Sequence, residues 1–234
     1  MSHRWTIWTL GIAALAALAL FPLRAALGLS DFERMGFTAR QVAGTIWYGR
    51  IGELHLRSQP LGTMQVALNP LPLLIGNISM QFSRMDSADG PFEGKLVAGF
   101  RRGVVDANGR LAVGDLVGRL PLAALELEQV TVLFRNGECT KAGGRIRPIF
   151  SAPLPGITLD PGIAGTIKCD GGRARVNMQS PSGAERIEFY VRESGEYRAW
   201  MSIRTGRPEL SGALSIFGFR PSPQGMTLTV DGRL

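Results

Sequence analysis

The chain has 234 residues, 45% of them hydrophobic, with 30 glycines, 14 prolines and a net charge of +7. That length fits one large domain or two small ones, and the glycine and proline content argues against a mainly helical protein and for a β-rich one with many turns. Only Lys95, Lys141 and Lys168 are lysines among 26 basic residues; the arginines do not run together or interleave with aromatics, which points away from nucleic acid and towards a surface near anionic lipid.

Residues 1–4 form a short basic tip carrying His3 and Arg4. From Trp5 to Leu23 the run WTIWTLGIAALAALALFPL carries no charge for 19 residues. As a helix it would be roughly 28 Å long, about the thickness of the bilayer hydrocarbon. Trp5 and Trp8 fall at one edge, where aromatic belts sit. The small residues of AALAALA suit a cleaved signal peptide. Against cleavage, the run is longer than a usual signal core, ends in Phe21-Pro22-Leu23, and is followed by the apolar RAALGL (Arg24 to Leu29). The sequence therefore predicts an uncleaved signal anchor over 5–27 with a cytoplasmic N-terminus, Arg24 acting against that orientation. A linker over 28–40 and an exported, periplasmic domain over 41–234 follow. No second run reaches spanning length; LNPLPLLIG (Leu68 to Gly76) is broken by Pro70 and Pro72.

The exported domain alternates with period two. Leu54 and Leu56, then Met64, Val66 and Leu68, then Ile78, Met80 and Phe82 each share a face. Later come Ala174, Val176 and Met178, then Ile187, Phe189 and Val191, and finally Met226, Leu228 and Val230. One greasy face and one polar face predict antiparallel strands. Turn signals fall at Asp106 to Gly109, Arg135 to Gly137, Asp170 to Gly172, Ser182-Gly183 and Ser194-Gly195. Two short helical pieces are expected, at Ser30 to Gly36 with a Ser30/Glu33 capping box, and near Pro121 to Leu125. A sandwich, a closed barrel and a curved half-barrel with an apolar groove all fit this periodicity.

The phrase G-T-I occurs twice, in QVAGTIWYGR (41–50) and in GIAGTIKCD (162–170). In the first, Gly44 permits a bend, Thr45 and Ile46 open the first strand, Trp47 needs a largely buried place for its ring, and Tyr48-Gly49 turns the chain back. The second puts Lys168 where the ring was. Either two strand starts have converged, or the domain has two similar halves, about 41–135 and 136–234.

Catalytic chemistry finds no support. His55 is the only histidine beyond His3, Glu126 and Glu128 lie on the wet side of LELEQ, and CxxC, HExxH and phosphate-loop patterns are absent. No cofactor or metal is expected. Cys139 and Cys169 are the only cysteines. In an oxidising compartment they predict one disulfide, two separated thiols being the alternative.

VAGTIWYGRIGEL after a short anchor, followed by VALNPLPLLIGNI, resembles type II secretion system protein N. Gly44, Thr45, Ile46, Trp47 and Gly49 match that family's G-T-L-W-x-G phrase, and Pro70, Leu73 and Leu74 match its proline-leucine phrase. CTKAGGRI, GTIKCD, SGEYRAW, the closing GMTLTVDGRL and the cysteine pair are similar to its second half. Ala67 departs from it, standing in the region where the family often has a second tryptophan. The resemblance implies a single-pass inner-membrane protein that assists export of folded proteins from the periplasm, with inner-membrane lipid and other secretion components as partners. Through relatedness to AsmA-like proteins it also implies a curved antiparallel half-barrel, and a second reading as a groove that binds or passes an apolar or lipid ligand.

Overall fold

The alternating segments become strands of one antiparallel sheet in a computed structural model, which describes residues 2–29, 32–33, 36–84, 90–114, 122–150, 162–205 and 208–233. Fifteen strands take part. The first nine are β1 (Phe37–Thr38), β2 (Gln41–Gly44), β3 (Gly49–Leu56), β4 (Gln59–Leu68), β5 (Ile78–Arg84), β6 (Phe92–Ala98), β7 (Arg102–Ala112), β8 (Leu122–Arg135) and β9 (Glu138–Phe150). The remainder are β10 (Ala164–Asp170), β11 (Arg173–Gln179), β12 (Glu185–Val191), β13 (Glu196–Ile203), β14 (Arg220–Ser222) and β15 (Gly225–Arg233). From β3 to β13 each strand pairs with its neighbour in sequence, and among the described residues the two ends do not pair, so the sheet is not closed into a barrel.

Among the described residues four helices accompany the sheet: α1 (Ser2–Ala19), α2 (Leu23–Leu29), the one-turn α3 (Pro70–Leu73) and α4 (Pro208–Ile216). The expected continuous helix over 5–27 is two helices. Pro22 has no N–H to continue α1, so the chain is extended at Phe21-Pro22 and bridges Thr45 before α2 starts. No helix of the described residues is long and apolar enough to cross a membrane; the 18 residues of α1 include His3 and Arg4.

Three other expectations change. Asp106 to Gly109 is a bulge inside β7, not a turn: Asp106 and Gly109 have φ of 51° and 107°, and the β7–β8 register shifts there. The strand runs on because side chains bridge the irregularity, Thr131 Oγ1 accepting from the Asp106 N–H and Asn108 Oδ1 from the Gln129 N–H. Leu122 to Leu125 is the start of β8 rather than a helix, since Leu122 and Ala124 alternate into the core; Pro121 lies outside the described residues. So does Ser30, and with it the expected capping box. The turn signals at 135–137, 170–172, 182–183 and 194–195 each separate two strands.

One apolar face of a single-layered sheet holds two core clusters. Ile51, Leu54, Met64, Val66, Phe82 and Phe92 belong to the first, with Leu23 of α2. A larger one runs from Ala107 and Val130 through Ile167, Val176 and Met201 to Leu228, with Leu214 of α4. Val104, Leu111 and Leu127 pack against both. Ala174, Ala199, Met201 and Leu214 have no exposed surface at all. Burial this complete on a one-layer sheet requires that the sheet curl so that its face meets itself. The Tyr197 phenol reports that curl: burial raises its pKa, and the charge of Arg57, on the β3–β4 turn, acts against the rise. In a flat sheet, β3 and β13 would be about 48 Å apart at the usual strand spacing, too far for that charge to reach.

Arg84 is buried to 1% exposure inside the curl. Its guanidinium donates to the backbone carbonyls of Leu61, Gly90 and Arg110 and lies over the Phe92 ring. It thereby ties β4, β5 and β7 together across the apolar face.

Between β3 and β13 the seam between β9 and β10 has the fewest register pairs, Gly165–Ile146 and Thr166–Arg145, among the described residues. Cys139 and Cys169 form the expected disulfide at this seam, with Cα atoms 5.5 Å apart, and the Cys139 N–H donates to the Gly172 carbonyl. The bridge closes a loop with a sequence separation of 30. Replacing both cysteines by serine should lower unfolding free energy by about 3–4 kcal/mol on loop entropy alone. Urea denaturation of the oxidised wild type against the double variant measures this, and coincident midpoints would show that the seam needs no staple.

Candidate functional site

The helix break at Pro22 leaves last-turn carbonyls of α1 to be satisfied from elsewhere. Leu18 O accepts the Phe21 N–H at 3.3 Å and also the Trp47 indole N–H, Nε1–O 3.0 Å. Phe21 O accepts the Ile46 N–H at 3.1 Å, Pro22 bridges Thr45, and Ile46 O in turn accepts the Leu68 N–H at 3.1 Å. The G-T-I-W-Y-G phrase is therefore a clamp on the end of the N-terminal helix.

Its conformation follows from its residues. β2 ends at Gly44, whose φ is +89°, and a Cβ there would lie 2.5 Å from Tyr48 O. Thr45 closes the turn, its N–H donating to Tyr48 O at 3.1 Å and its Oγ1 accepting the Tyr48 N–H. Gly49 opens β3 beneath Leu23, where a Cβ would come within 2.5 Å of Leu23 Cδ2 and 2.9 Å of Thr45 O. Leu23 is buried in the first core cluster through this contact.

The phrase was expected to open the first strand; it is the turn between β2 and β3, because Gly44 reverses the chain. Trp47 is half-buried, not sunk in the core, since its N–H has its partner at the helix end. In the second phrase, Gly165 is an extended residue inside β10, pressed against Asn177 O of β11. The two G-T-I phrases thus do different structural jobs.

Gly44, Thr45, Trp47 and Gly49 come together here, and Pro70 follows two residues after Leu68, at the first turn of α3, which Asn69 caps through its Oδ1. Cys139 and Cys169 sit apart, at the β9–β10 seam. Phe21, Leu23 and the Leu18 carbonyl belong to the clamp and were missed; the proline interrupting the apolar run was the available signal.

The polar side of the sheet carries a second feature. Glu126 on β8 lies directly between Arg110 on β7 and Arg147 on β9, with N–O distances of 3.1 and 3.2 Å, and Glu128 faces Arg145 at 3.5 Å. The hydrogen bond from Arg110, helped by that from Arg147, holds the Glu126 carboxyl below its ordinary pKa. His55 Nδ1 lies 2.9 Å from Glu53 O, and no cluster among the described residues could hold a metal ion.

Two outcomes are expected. Trp47→Phe keeps a ring and removes the N–H, so it should loosen the clamp by about 1 kcal/mol. Trypsin should then cut after Arg24 faster while the denaturation midpoint of the sheet holds; an unchanged cleavage rate would show that the indole bond does not restrain the helix. For Glu126, a lowered folded pKa means that its stabilisation is present above the ordinary carboxylate range and is lost as pH falls through the lowered value. Glu126→Gln should therefore be less stable than wild type at pH 7, with the gap closing towards pH 3, as read by urea midpoints; exposure to solvent keeps the difference small.

Residues 35–229 match the sequence model of the family described as type II secretion system (T2SS), protein N. Comparison with curated proteins and with solved structures returned no significant match.

Proposed function

The chain belongs to the type II secretion system protein N family, and from that premise we propose that it is an accessory inner-membrane component that supports export of folded proteins by contacting other parts of the machine. Membership makes it a secretion-system component; its place and mode of action are the proposal.

The observation that carries this reading is α1. Trp8, Leu10, Ile12, Leu15 and Leu18 of α1, and Leu20 just after it, are all exposed, so the described side chains present apolar surface around the helix, and its last turn is held by the Trp47 indole. A helix greasy on all sides belongs in a core or a bilayer. At about 27 Å, α1 approaches the hydrocarbon thickness, which sets Phe21 and Trp47 at the interface, where aromatic rings are favoured. In this arrangement residues 1–4 are cytoplasmic, α1 is held in the membrane as an uncleaved anchor, and the sheet from residue 41 lies in the periplasm. The Cys139–Cys169 disulfide supports an oxidising compartment. The ion-paired polar face offers charged, patterned surface to partner proteins.

A second reading, an AsmA-like groove that holds lipid, is favoured by one observation. The apolar face is buried at Phe82 and Phe92 but opens towards the clamp, where Ile78 and Leu96 on the same face are 47% and 43% exposed. Acyl chains copurifying with the detergent-extracted protein would favour it; their absence by lipid mass spectrometry would remove it.

For the main reading, mass spectrometry of the membrane fraction should find the chain intact at its N-terminus and resistant to carbonate extraction. A mature protein beginning between residues 20 and 30 would overturn the anchor. Deletion of the gene should leave secretion substrates in the periplasm, and undiminished secretion would overturn the accessory role.

A further inference from the structure

An apolar patch stands beside the clamp that neither core uses. Leu71, Leu74 and Ile75, in and after α3, are 71%, 83% and 68% exposed. Phe100, at the tip between β6 and β7, is 70% exposed and joins them: its N–H donates to Asn77 Oδ1 at 3.1 Å, and its ring edge lies 3.9 Å from where a Gly76 Cβ would be. Four large side chains on two linked loops face solvent, while Phe82 and Phe92, on the apolar face of the adjoining strands, are 8% exposed.

The position of the patch follows from the hydrogen bonds of the clamp. Phe21 O binds Ile46 N, Ile46 O binds Leu68 N, and α3 starts two residues later. Two such steps span about 10 Å at interstrand spacing. The interfacial layer of a bilayer is of order 5–8 Å deep on each side. If α1 leaves the membrane at Phe21, α3 starts at the membrane surface. Arg101, next to Phe100, and Arg24, next to Leu23, are exposed at the same end of the sheet and suit anionic headgroups.

We propose that the α3 loop and the β6–β7 tip form a wedge that seats in the interfacial layer of the membrane beside α1, giving the sheet a second membrane contact and a fixed tilt. The proposal rests on the reading of α1 as an anchor. A one-point tether would leave the sheet free to swivel, whereas an anchor plus a wedge on the next two loops defines an orientation. The tips of one-turn helices with exposed leucines gain free energy on burial in roughly the proportion of apolar area removed from water.

The test uses the full chain in liposomes of phosphatidylethanolamine and phosphatidylglycerol. Single cysteines replace Leu71, Ile75, Ile12 of α1 or Ser182 at the opposite end of the sheet, each labelled with an environment-sensitive fluorophore; Cys139 and Cys169 are paired and leave no competing thiol. Nitroxide carried on the lipid acyl chains should quench the labels at 71, 75 and 12, and iodide in the buffer should quench only the label at 182. Acyl-chain quenching at 12 with iodide quenching at 71 and 75 would overturn the wedge and leave the anchor standing. Iodide quenching at all four positions would overturn both. Shielding of 71 and 75 that arises only when other secretion components are reconstituted would also overturn it, making the patch a protein-docking face.

Discussion

A single-layered sheet with one apolar face has nothing to stack on but itself, and this constraint shapes the rest of the molecule. Fifteen strands supply the face; α4 and α2 cover only small parts of it. Most of the face is nonetheless buried, which the curl of the sheet achieves. Bulges at Asp106 and opposite Gln129 sharpen the bend in the long central strands β7 and β8. Arg84 holds the inside of the curl by donating to three backbone carbonyls, those of Leu61, Gly90 and Arg110. The sheet stays open because its ends are poor templates. β1 has two residues, and β14 has three, one of them Pro221, which has no N–H to offer a further strand.

Because nearly every strand pairs with its sequence neighbours, the sheet is only as continuous as its weakest ladder. Between β3 and β13 that ladder is β9–β10, held by two register pairs among the described residues. A covalent link there spares the main-chain hydrogen bonds from carrying the whole connection across the larger core cluster, which spans this seam. The bridge persists only where thiols are oxidised.

The strands were legible because the face is one-sided. Leu54, Met64, Val66, Phe82, Val176, Met178, Ile187 and Leu228 are buried as their alternation required, and the disulfide was readable because two cysteines allow one pairing. What failed was local chemistry overruled by neighbours. Asp106-Ala-Asn-Gly reads as a turn, but β6 and β8 flank it and keep it extended. Leu122 to Leu125 has good helix formers, but Phe150 and Ile149 lie across from it and a strand results. Trp47 was readable as important and not as half-exposed, because the carbonyl that receives its N–H lies 29 residues earlier on a helix end that only the fold brings near. The curl had no sequence signature at all, since the groups it brings within reach of one another, such as Arg57 whose charge acts on Tyr197, lie ten strands apart in the sheet.

The G-T-I-W-Y-G turn and the N-P-L-P-L-L-I loop are about 20 residues apart in the chain and adjacent in space. The link between them is Ile46, whose N–H binds the end of the N-terminal segment and whose carbonyl binds the end of β4. Gly44 and Gly49 let that residue reach both, Gly44 by reversing the chain and Gly49 by admitting Leu23. One short turn therefore fixes the direction in which α1 leaves the sheet and the place from which the leucines of α3 project. A side chain at Gly49 would displace Leu23 and move both together, so the orientation of the helix and that of the exposed loop are one structural variable, set by the six residues of the turn.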